Sequence, residues 1–360
     1  MQATCQVSLE AIAHNYEYFR QLVKPAKIIP VVKANAYGHG AVEVTQHLIS
    51  HSGVNEFAVA TLEEALELAP TFPDVSFLIF SRVFASDLSR VPKNVILTLV
   101  SPEDAEAITS SVATAQRVHL NVNTGMNRLG LSPGEALDLL KRGPSNLHIE
   151  GIYSHFSSSD AMTRTVYRGQ ISSFRSFVDA CRQAGFAGQF HLSNSAAVLQ
   201  GDDNIFDAVR LGIGLYGYDT SPEQSHKSNL TPAMTIQAPL IRVAALKIGE
   251  TVSYGETWCA QMDGYVGTLR IGYADGYPRA LSNRGTVSLG EKTYPVIGTV
   301  TMDHIMIDLG KDSPTSGAMF TIMGGSHSAV GIQSIAHSLD TIPYELCCGI
   351  SPRLARIYPD

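Results

Sequence analysis

Hydrophobic and polar positions follow two different patterns along this chain of 360 residues. Up to residue 228, short apolar runs are separated by segments with apolar residues at helical spacing, such as Leu9–Val23. Short apolar runs bounded by turn signals are typical of strands buried on both faces of a parallel sheet. The pattern predicts eight such strands, at Ile28–Lys33, Phe57–Ala60, Val75–Phe80, Val95–Val100, Val118–Asn123, Ile149–Phe156, Phe190–Asn194 and Ala208–Gly214.

Helical segments lie between these predicted strands. Ser101–Asp104 and Ser132–Glu135 each combine an N-cap serine, a proline at the first helical position and an acidic first turn. Strands that alternate with helices imply a parallel sheet, and eight of them close into a (β/α)8 barrel of the TIM type. An open doubly wound sheet is the competing architecture, but no GxGxxG motif follows the first strand.

The pattern changes near Ser221–Asn229, a polar stretch that we interpret as a linker. Beyond it, runs rich in β-branched residues are punctuated by Gly and Pro about every 8–12 residues, as in antiparallel β domains. We therefore predict a barrel domain at 1–228 and a C-terminal, mainly antiparallel β domain at 229–360. The strands predicted in the second domain are Leu240–Ile248, Tyr265–Ile271, Thr286–Leu289, Tyr294–Thr301, His304–Leu309 and Met319–Met323.

Composition and charge argue against several classes of protein. The chain is 44% hydrophobic and carries a net charge of −7, which argues against nucleic acid or an acidic membrane as its main partner. No run of 18 apolar residues predicts a membrane span, and no signal peptide is evident at the N-terminus. The five cysteines show neither CxxC nor zinc spacing. We expect a cytoplasmic protein with reduced thiols and no bound metal.

The strongest chemical signal is the sequence PVVKANAYGHG, from Pro30 to Gly40. If the strand stops on Lys33, its amine lies at the C-terminal mouth of the barrel, where such folds carry their chemistry. Partial desolvation there lowers the pKa of a lysine and makes it a nucleophile for a Schiff base. Tyr37 lies four positions further on, where its phenol could reach a phosphate. A lone lysine at a strand end is more often a surface residue.

Polar residues also occur where the other predicted strands end. Ser195 is a good helix N-cap, and a helix N-terminus after the seventh strand, with Gly212 at the eighth, is a common phosphate site in such barrels. Alternatively, His155 is a buried structural histidine and Arg210 an ion-pair partner. A reactive lysine, a phosphate cradle and an arginine together indicate a pocket for pyridoxal 5′-phosphate (PLP).

The chain resembles alanine racemases over essentially its whole length. The motifs that carry the resemblance are, in order, VKANAYGHG from Val32, TGMNRLG from Thr124, SHF from Ser154, NSAA from Asn194, VRLGI from Val209, VSYG from Val252, IGYADGYPR from Ile271, Met302-Asp303, and PYE from Pro343. The resemblance implies a PLP-dependent isomerase that interconverts L-alanine and D-alanine and supplies D-alanine for cell-wall peptidoglycan.

The resemblance also assigns the chemistry to particular residues. Lys33 would hold PLP and act as the base for the D-enantiomer, and Tyr254 of the other subunit would be the base for the L-enantiomer. Arg210 would face the pyridine nitrogen and leave it unprotonated, which limits side reactions such as transamination. His155 would hold Arg210 from behind. The phosphate and its surroundings would be bound by Tyr37, Asn194, Ser195, Gly212, Ile213 and Tyr344.

The substrate side of the site follows from the same resemblance. Arg128 should reach the cofactor phenolate and the substrate carboxylate, and the Met302 backbone would assist. Asp160, Tyr273 and Arg279 match positions along the corridor to the site, although simple surface hydrogen bonding is an equal alternative for them. Because Tyr254 and Met302 would act in trans, we expect a head-to-tail homodimer in which each barrel mouth is covered by the partner's β domain.

Three positions depart from the family pattern. Many alanine racemases have a carbamylated lysine at the position of Asn121, and an aspartate is frequent at Asn123. An amide does not replace the missing negative charge, so we hypothesise that a chloride ion lies beside Asn121 and Arg128. Thr299 stands where an arginine is common, which makes the corridor less cationic. Because one methylene is discriminated by only about 1–3 kcal/mol, serine or other small amino acids are candidate substrates.

Three rival functions remain open at this point. One is a racemase of broader specificity. Another is a PLP decarboxylase of the same architecture, but those enzymes place a carboxylate near the pyridine nitrogen and use a cysteine of the partner, where this chain has Arg210 and Tyr254. The third is a non-catalytic PLP carrier, which would resemble only the first 228 residues or so.

Overall fold

The computed structural model describes residues 2–111, 115–159, 165–201, 205–220, 228–325 and 327–359. Its strands are β1 (Thr4–Val7), β2 (Lys27–Pro30), β3 (Glu56–Val59), β4 (Ser76–Ile79), β5 (Val95–Leu99), β6 (Gln116–Asn121), β7 (Leu147–Tyr153), β8 (Gln189–Asn194), β9 (Ala208–Leu211), β10 (Met234–Leu246), β11 (Gly264–Leu269), β12 (Thr286–Leu289), β13 (Lys292–Ile297), β14 (Ile305–Gly310), β15 (Met319–Gly324) and β16 (Ala355–Ile357).

Right-handed α-helices occur at nine places in the described ranges. They are α1 (Leu9–Val23), α2 (Ala41–Ser52), α3 (Leu62–Leu68), α4 (Pro102–Ser111), α5 (Pro133–Arg142), α6 (Thr165–Gln183), α7 (Ser195–Leu199), α8 (Ile332–Ser338) and α9 (Pro343–Cys348). Short 3-10 helices lie at Ala85–Arg90, Ile213–Tyr216, Tyr254–Glu256, Tyr273–Asp275, Arg279–Leu281 and Ser328–Val330. The five cysteines are free thiols. In the part of the chain described, none of the helices has both the length and the apolar character needed to cross a bilayer.

The chain divides into two compact units. The barrel unit comprises Ile12–Ala36 and Ala41–Thr231, and the β unit comprises Met1–Ala11, Tyr37–Gly40 and Pro232–Asp360. Two short segments near the N-terminus therefore belong to the same unit as the C-terminal part of the chain. No single boundary residue can separate the two units. The domain boundary at 228/229 stays a prediction, and residues 221–227 of the predicted linker lie outside the described ranges.

The barrel unit contains eight parallel strands in the order β2-β9-β8-β7-β6-β5-β4-β3. The two ends of this sheet meet through a parallel bridge between Val31 and Ala58, where the Val32 amide donates to the Ala58 carbonyl at 2.9 Å. All eight predicted strands are present and the predicted barrel is confirmed, whereas the open doubly wound sheet is wrong. Three strands end three residues before their predicted ends: β2 at Pro30 and not at Lys33, β7 at Tyr153 and not at Phe156, and β9 at Leu211 and not at Gly214.

Local sequence explains how these elements begin and end. All five residues of β5 are buried, because a parallel strand in a closed barrel has an apolar environment on both faces. Helix α5 starts at a capping box in which the Ser132 hydroxyl accepts from the Glu135 amide and the Glu135 carboxylate accepts from the Ser132 amide. It ends at Gly143 in the left-handed conformation, with φ of 56°. The predicted start at Ser132 is confirmed.

The β unit is built on antiparallel pairing, as predicted. Six strands follow the order β11-β14-β13-β12-β15-β10, and β10 also pairs with β11, which closes the ring. Strand β1 extends it by pairing antiparallel to β10, and β16 pairs parallel to β1. Both added strands were missed in the sequence because four and three residues are too few to show an alternating pattern.

Candidate active site

Lys33 begins a left-handed turn that directly follows the barrel-closing bridge. The backbone φ angles of Ala34, Asn35, Ala36 and Tyr37 lie between 52° and 53°. For residues with a Cβ this conformation costs roughly 1–2 kcal/mol each, so four in succession store appreciable strain beside the lysine. Such strain persists only where surrounding contacts determine the conformation.

Side chains from the barrel unit hold this turn. The Glu64 carboxylate accepts from the amides of Ala34 and Ala60, each at 2.7 Å. The Asn35 side-chain oxygen accepts from the Ala41 amide at 2.8 Å, at the start of α2. The turn therefore has an anchor at each end, and Lys33 leaves it as a half-buried side chain.

In the β unit, Tyr37 is brought together with Tyr344. Their ring centroids are 5.8 Å apart, and both tyrosines were expected to bind phosphate. The next residue is necessarily glycine, because a Cβ on Gly38 would collide with the Cys347 carbonyl oxygen. The Gly38 carbonyl accepts from Arg356 at 3.1 Å. These contacts fix the segment that carries the Tyr37 phenol.

A second group of expected phosphate ligands lies where β8 and β9 end. The Ser195 hydroxyl accepts from the amides of Gly212 and Gly214, at 3.0 and 3.2 Å. Ser195 was expected to cap the helix, but the cap of α7 is Asn194, whose side-chain oxygen accepts from the Ala197 amide at 3.0 Å. Both residues are good caps, so the sequence did not decide between them. Ile213 begins the 3-10 helix that follows β9.

Arg210 points from β9 into the barrel and is 3% exposed. Its Nη1 donates to His191 Nδ1 at 2.8 Å, and its Nη2 lies 3.1 Å from His155 Nδ1. Three main-chain carbonyls, those of His191, Ser154 and Leu192, accept from the same guanidinium. The expected contact with His155 is present. None of the ion pairs found among the described residues includes Arg210.

The electrostatics of this cluster follow from burial. Burial lowers the pKa of Arg210 to about 10, which leaves the guanidinium charged at neutral pH. Burial, followed by the charges of Arg210, Arg128 and Lys33, lowers the pKa of His155 to about 3. The pKa of His191 falls well below its usual value for the same leading reason. One cation is thus held by two neutral imidazoles.

Two residues of this cluster were missed in the sequence. His191 contacts Arg210 directly, and the Tyr153 ring lies under the guanidinium, 5.0 Å from its central carbon. Burial raises the pKa of Tyr153 to about 12, so its phenol remains neutral. The sequence did contain a signal for these two residues. His191 and Tyr153 are polar side chains within predicted apolar strands, at positions where Val, Ile or Leu is usual.

Arg128 lies at the end of a loop organised by Asn123. The Asn123 oxygen accepts from the Gly125 and Asn127 amides, at 3.0 and 3.1 Å, and its nitrogen donates to the Asn127 side chain at 2.9 Å. An aspartate could accept the first two bonds but could not donate the third. Asn123 therefore holds both the side chain and the backbone amide of Asn127, a residue in the left-handed conformation with a φ of 57°.

A small cavity lies beside this loop. Its volume is about 10 Å³, and it is lined by Asn121, Val122, Asn123, Met126, Arg128, Leu129, Ser154 and His155. That volume is close to the minimum needed to hold one water-sized particle. Arg128 is exposed, and no carboxylate of the described residues forms an ion pair with it. The cavity thus brings Asn121, Arg128 and His155 together around a space for a single small species.

The remaining candidates belong to the surface of the β unit. Tyr254 is 74% exposed and Met302 is 52% exposed. Tyr273 and Arg279 are also exposed, each at the first position of a 3-10 helix. Asp160 lies outside the described residues. A single chain thus presents Tyr254 and Met302 to its surroundings.

The backbone of Tyr254 is held by Thr299. The Thr299 hydroxyl donates to the Tyr254 carbonyl at 2.8 Å, and the Ser253 hydroxyl donates to the Thr299 carbonyl at 2.6 Å. Ser253 has a φ of 69°, so this segment is also strained. The Met302 carbonyl is similarly fixed, because it accepts from the Ala274 amide at 3.0 Å.

A closed parallel barrel with a lysine at its mouth, followed by an antiparallel β barrel, defines a class of two-unit barrel enzymes. Residues 7–220 match the family profile "Alanine racemase, N-terminal domain", and residues 233–358 match "Alanine racemase, C-terminal domain". The chain belongs to the alanine racemase family, whose members are isomerases. The resemblance found in the sequence and the enzyme class that it implied are confirmed.

Individual relatives agree with this membership over their whole length. The chain is 37% identical to the alanine racemase of Chlorobaculum tepidum, over 98% of this chain and 94% of that protein. The fold matches the crystal structure of alanine racemase from E. faecalis with a TM-score of 0.91 at 31% identity, covering 99% of this chain and 98% of that one. The alanine racemase of Bartonella henselae, with covalently bound pyridoxal phosphate, matches with a TM-score of 0.89 at 29% identity over 100% of both chains.

The strain in the turn after Lys33 is measurable through stability. Replacing the exposed Ala34 by glycine should raise the free energy of unfolding by about 0.5–1 kcal/mol, because glycine adopts the left-handed conformation without a steric cost. Ala34→Val should lower it. The control is Ala180→Gly in α6, which should lower stability by about 1 kcal/mol. Urea unfolding measures all three, and equal losses for the two glycine variants would contradict a strained turn.

Proposed function

We propose that this protein is a PLP-dependent alanine racemase that converts L-alanine and D-alanine into each other. The observation that carries the proposal is Arg210, a buried cation held by neutral imidazoles on the same barrel rim as Lys33. Membership of the alanine racemase family supplies the substrate, and the Bartonella henselae relative holds covalent PLP.

The residues present fit PLP. Lys33 would hold the aldehyde end, and the Ser195–Gly212 pair would bind the phosphate together with Ile213, Tyr37 and Tyr344. Gly214 leaves no room for a side chain, since a Cβ there would lie 2.6 Å from the Phe19 ring and 3.0 Å from Ser195 Cβ, so its backbone lies directly against Ser195. Asn194 would act by capping α7 and so orienting Ser195. When bound, PLP makes the Cα–H bond of the attached amino acid acidic.

Arg210 would donate a hydrogen bond to the pyridine nitrogen of PLP. A guanidinium has donors only, so the nitrogen would act as an acceptor and remain unprotonated. This weakens the cofactor as an electron sink and so limits transamination. A PLP decarboxylase needs a carboxylate at this point, which is the reason to prefer racemisation.

Two bases would act on opposite faces of the substrate. Lys33 would remove or return the proton on the face of the D-enantiomer, and Tyr254 of the partner subunit would do so for the L-enantiomer. Arg128 and the Met302 backbone would hold the substrate carboxylate, with Asp160, Tyr273 and Arg279 along the access corridor. The exposure of Tyr254 and Met302 supports a homodimer in which the β unit of one chain serves the barrel of the other.

We place the enzyme in the cytoplasm, where it would supply D-alanine for peptidoglycan. A chloride ion would fill the cavity beside Asn121 and Arg128 and provide the negative charge that a carbamylated lysine provides in many relatives. The position of the cavity beside Arg128 supports an anion there, and its volume of about 10 Å³ limits the occupant to one small species.

The central test compares the wild type with Tyr254→Phe in the presence of PLP. For racemisation of L-alanine, we expect kcat to fall by about 10²–10⁴ when the phenol is removed, as for loss of a general base. Exchange of the α-proton in deuterated water reports which enantiomer still reacts at the Lys33 face. Tyr265→Phe, another exposed tyrosine of the β unit, is the control and should retain activity.

L-serine is the second substrate in this assay. Turnover of serine at a rate comparable to that of alanine would favour the racemase of broader specificity. It would also indicate that Asn121 and Thr299 widen the range of substrates. PLP bound through Lys33 without racemisation of either amino acid would contradict the proposed reaction. Release of carbon dioxide would indicate a decarboxylase.

Halide dependence tests the proposed chloride. At constant ionic strength, kcat/KM should rise when acetate is replaced by chloride, because chloride restores the anion that orients Arg128. Asn121→Asp should lose this dependence, since it supplies a carboxylate in place of the ion. Asn55→Asp makes the same change at an exposed site just before β3 and should retain it. Wild-type activity that is indifferent to halide would overturn the idea.

Thr299 should matter through the backbone of Tyr254. Thr299→Val removes the hydroxyl that donates to the Tyr254 carbonyl, a bond worth about 1 kcal/mol, so kcat should fall by about fivefold. Thr299→Ser keeps the hydroxyl and should stay within about twofold of the wild type. Steady-state rates in both directions measure this, and a loss in Thr299→Ser with little loss in Thr299→Val would instead indicate a packing effect of the methyl group.

A further inference from the structure

A line of polar side chains runs through the barrel unit behind Arg210. His191 Nε2 lies 3.1 Å from His119 Nδ1, and His119 Nε2 lies 3.4 Å from the Gln189 side-chain amide. The atom of that amide in both contacts is Gln189 Nε2, which lies 3.2 Å from the Glu56 carboxylate. Both histidines are fully buried. The line therefore connects the arginine to Glu56 through hydrogen-bond contacts alone.

The position of the His119 ring is built into the neighbouring strand. A Cβ on Gly151, in the interior of β7, would lie 2.6 Å from His119 Cε1. Glycine inside a strand weakens it and marks close approach of another group. Here that group is the imidazole of His119, which occupies the space that a side chain at residue 151 would need.

The directions of the two hydrogen bonds nearest to Arg210, those to His191 and from His191 to His119, follow from the arginine. A guanidinium only donates, so His191 Nδ1 must accept, and a neutral His191 then carries its proton on Nε2. That proton faces His119 Nδ1, which must also accept, so the His119 proton lies on Nε2. The opposite assignment would leave His191 with two acceptors and no proton. Arg210 thus determines the tautomers of both rings.

The assigned directions end at His119. Gln189 Nε2 donates to the Glu56 carboxylate at 3.2 Å, and the same nitrogen is the atom that lies 3.4 Å from His119 Nε2. An amide nitrogen has no acceptor to offer the His119 proton. The directed part of the line therefore runs from Arg210 to His191 and from His191 to His119.

We propose that His119 is a positioning residue for the reaction, acting through His191 on the orientation of Arg210. The inference rests on the proposed function to the extent that Arg210 serves PLP. Without an acceptor at His119 Nδ1, the Nε2–H of His191 is buried and unpaired. His191 then relieves this by turning or changing tautomer, and either change directs an N–H or a carbon at the Arg210 donor. Arg210 loses its fixed direction.

Matched substitutions separate positioning from packing. His119→Leu has a similar volume but no acceptor, and we expect kcat to fall roughly 10- to 100-fold with a smaller change in the KM for alanine. The absorption spectrum of bound PLP should shift, although residue 119 is separated from Arg210 by a whole imidazole. His119→Asn places an oxygen near the former Nδ1 position and should restore most of the activity and the spectrum.

The outcomes are distinct. Equal loss of activity in the Leu and Asn variants, or a Leu variant that is folded with unchanged kcat and spectrum, would overturn the role of His119. Thermal unfolding with circular dichroism checks that each variant folds.

Neutron diffraction from deuterated crystals of the wild-type holoenzyme tests the tautomers directly. We expect deuterium on Nε2 of both His191 and His119 and on neither Nδ1. Deuterium on His191 Nδ1, or on both nitrogens of His119, would refute the directed line. This readout does not depend on the reaction catalysed, so it separates failure of the inference from failure of the proposed function.

Discussion

The site depends on keeping one positive charge inside the barrel with no carboxylate of the described residues paired to it. Removing a charged group from water costs several kcal/mol. For Arg210 this cost is offset by contacts with two imidazole nitrogens, three carbonyl oxygens and the face of the Tyr153 ring. A carboxylate would cancel the charge. Neutral acceptors leave it available, which is why His155 and His191 must be buried deeply enough to stay unprotonated.

A second constraint acts on the backbone after Lys33. Lys33 and Tyr37 are four positions apart in the sequence, yet they belong to different units, and the left-handed turn after Lys33 consists of Ala34, Asn35, Ala36 and Tyr37 itself. An extended or right-handed path would direct the tyrosine elsewhere. Backbone amides that donate to the side-chain oxygens of Glu64 and Asn35 offset the conformational cost. The segment at Ser253, which precedes Tyr254, shows the same combination of positive φ and fixed hydrogen bonds.

The sequence predicts the fold better than it predicts the site. Apolar runs located all eight barrel strands and six strands of the β unit, because burial on a regular element repeats along the chain. It could not show the left-handed turn, since Ala-Asn-Ala-Tyr contains no glycine to signal positive φ. Nor could it choose Asn194 over Ser195 as the cap. His119 and His191 look like interruptions of apolar strands until the barrel brings them within 3.1 Å.

Membership of Thr4–Val7 and Tyr37–Gly40 in the β unit has a consequence for its modularity. A gene fragment that begins at the predicted boundary would lack β1. It would encode β10 without the strand that covers one of its edges, and β16 without the one strand that pairs with it among the described residues. It would also lack Tyr37, whose ring centroid lies 5.8 Å from that of Tyr344. The β unit is therefore not a cassette that recombination can move with one crossover. It is inherited as three separate pieces, two of them on either side of the first strand of the barrel.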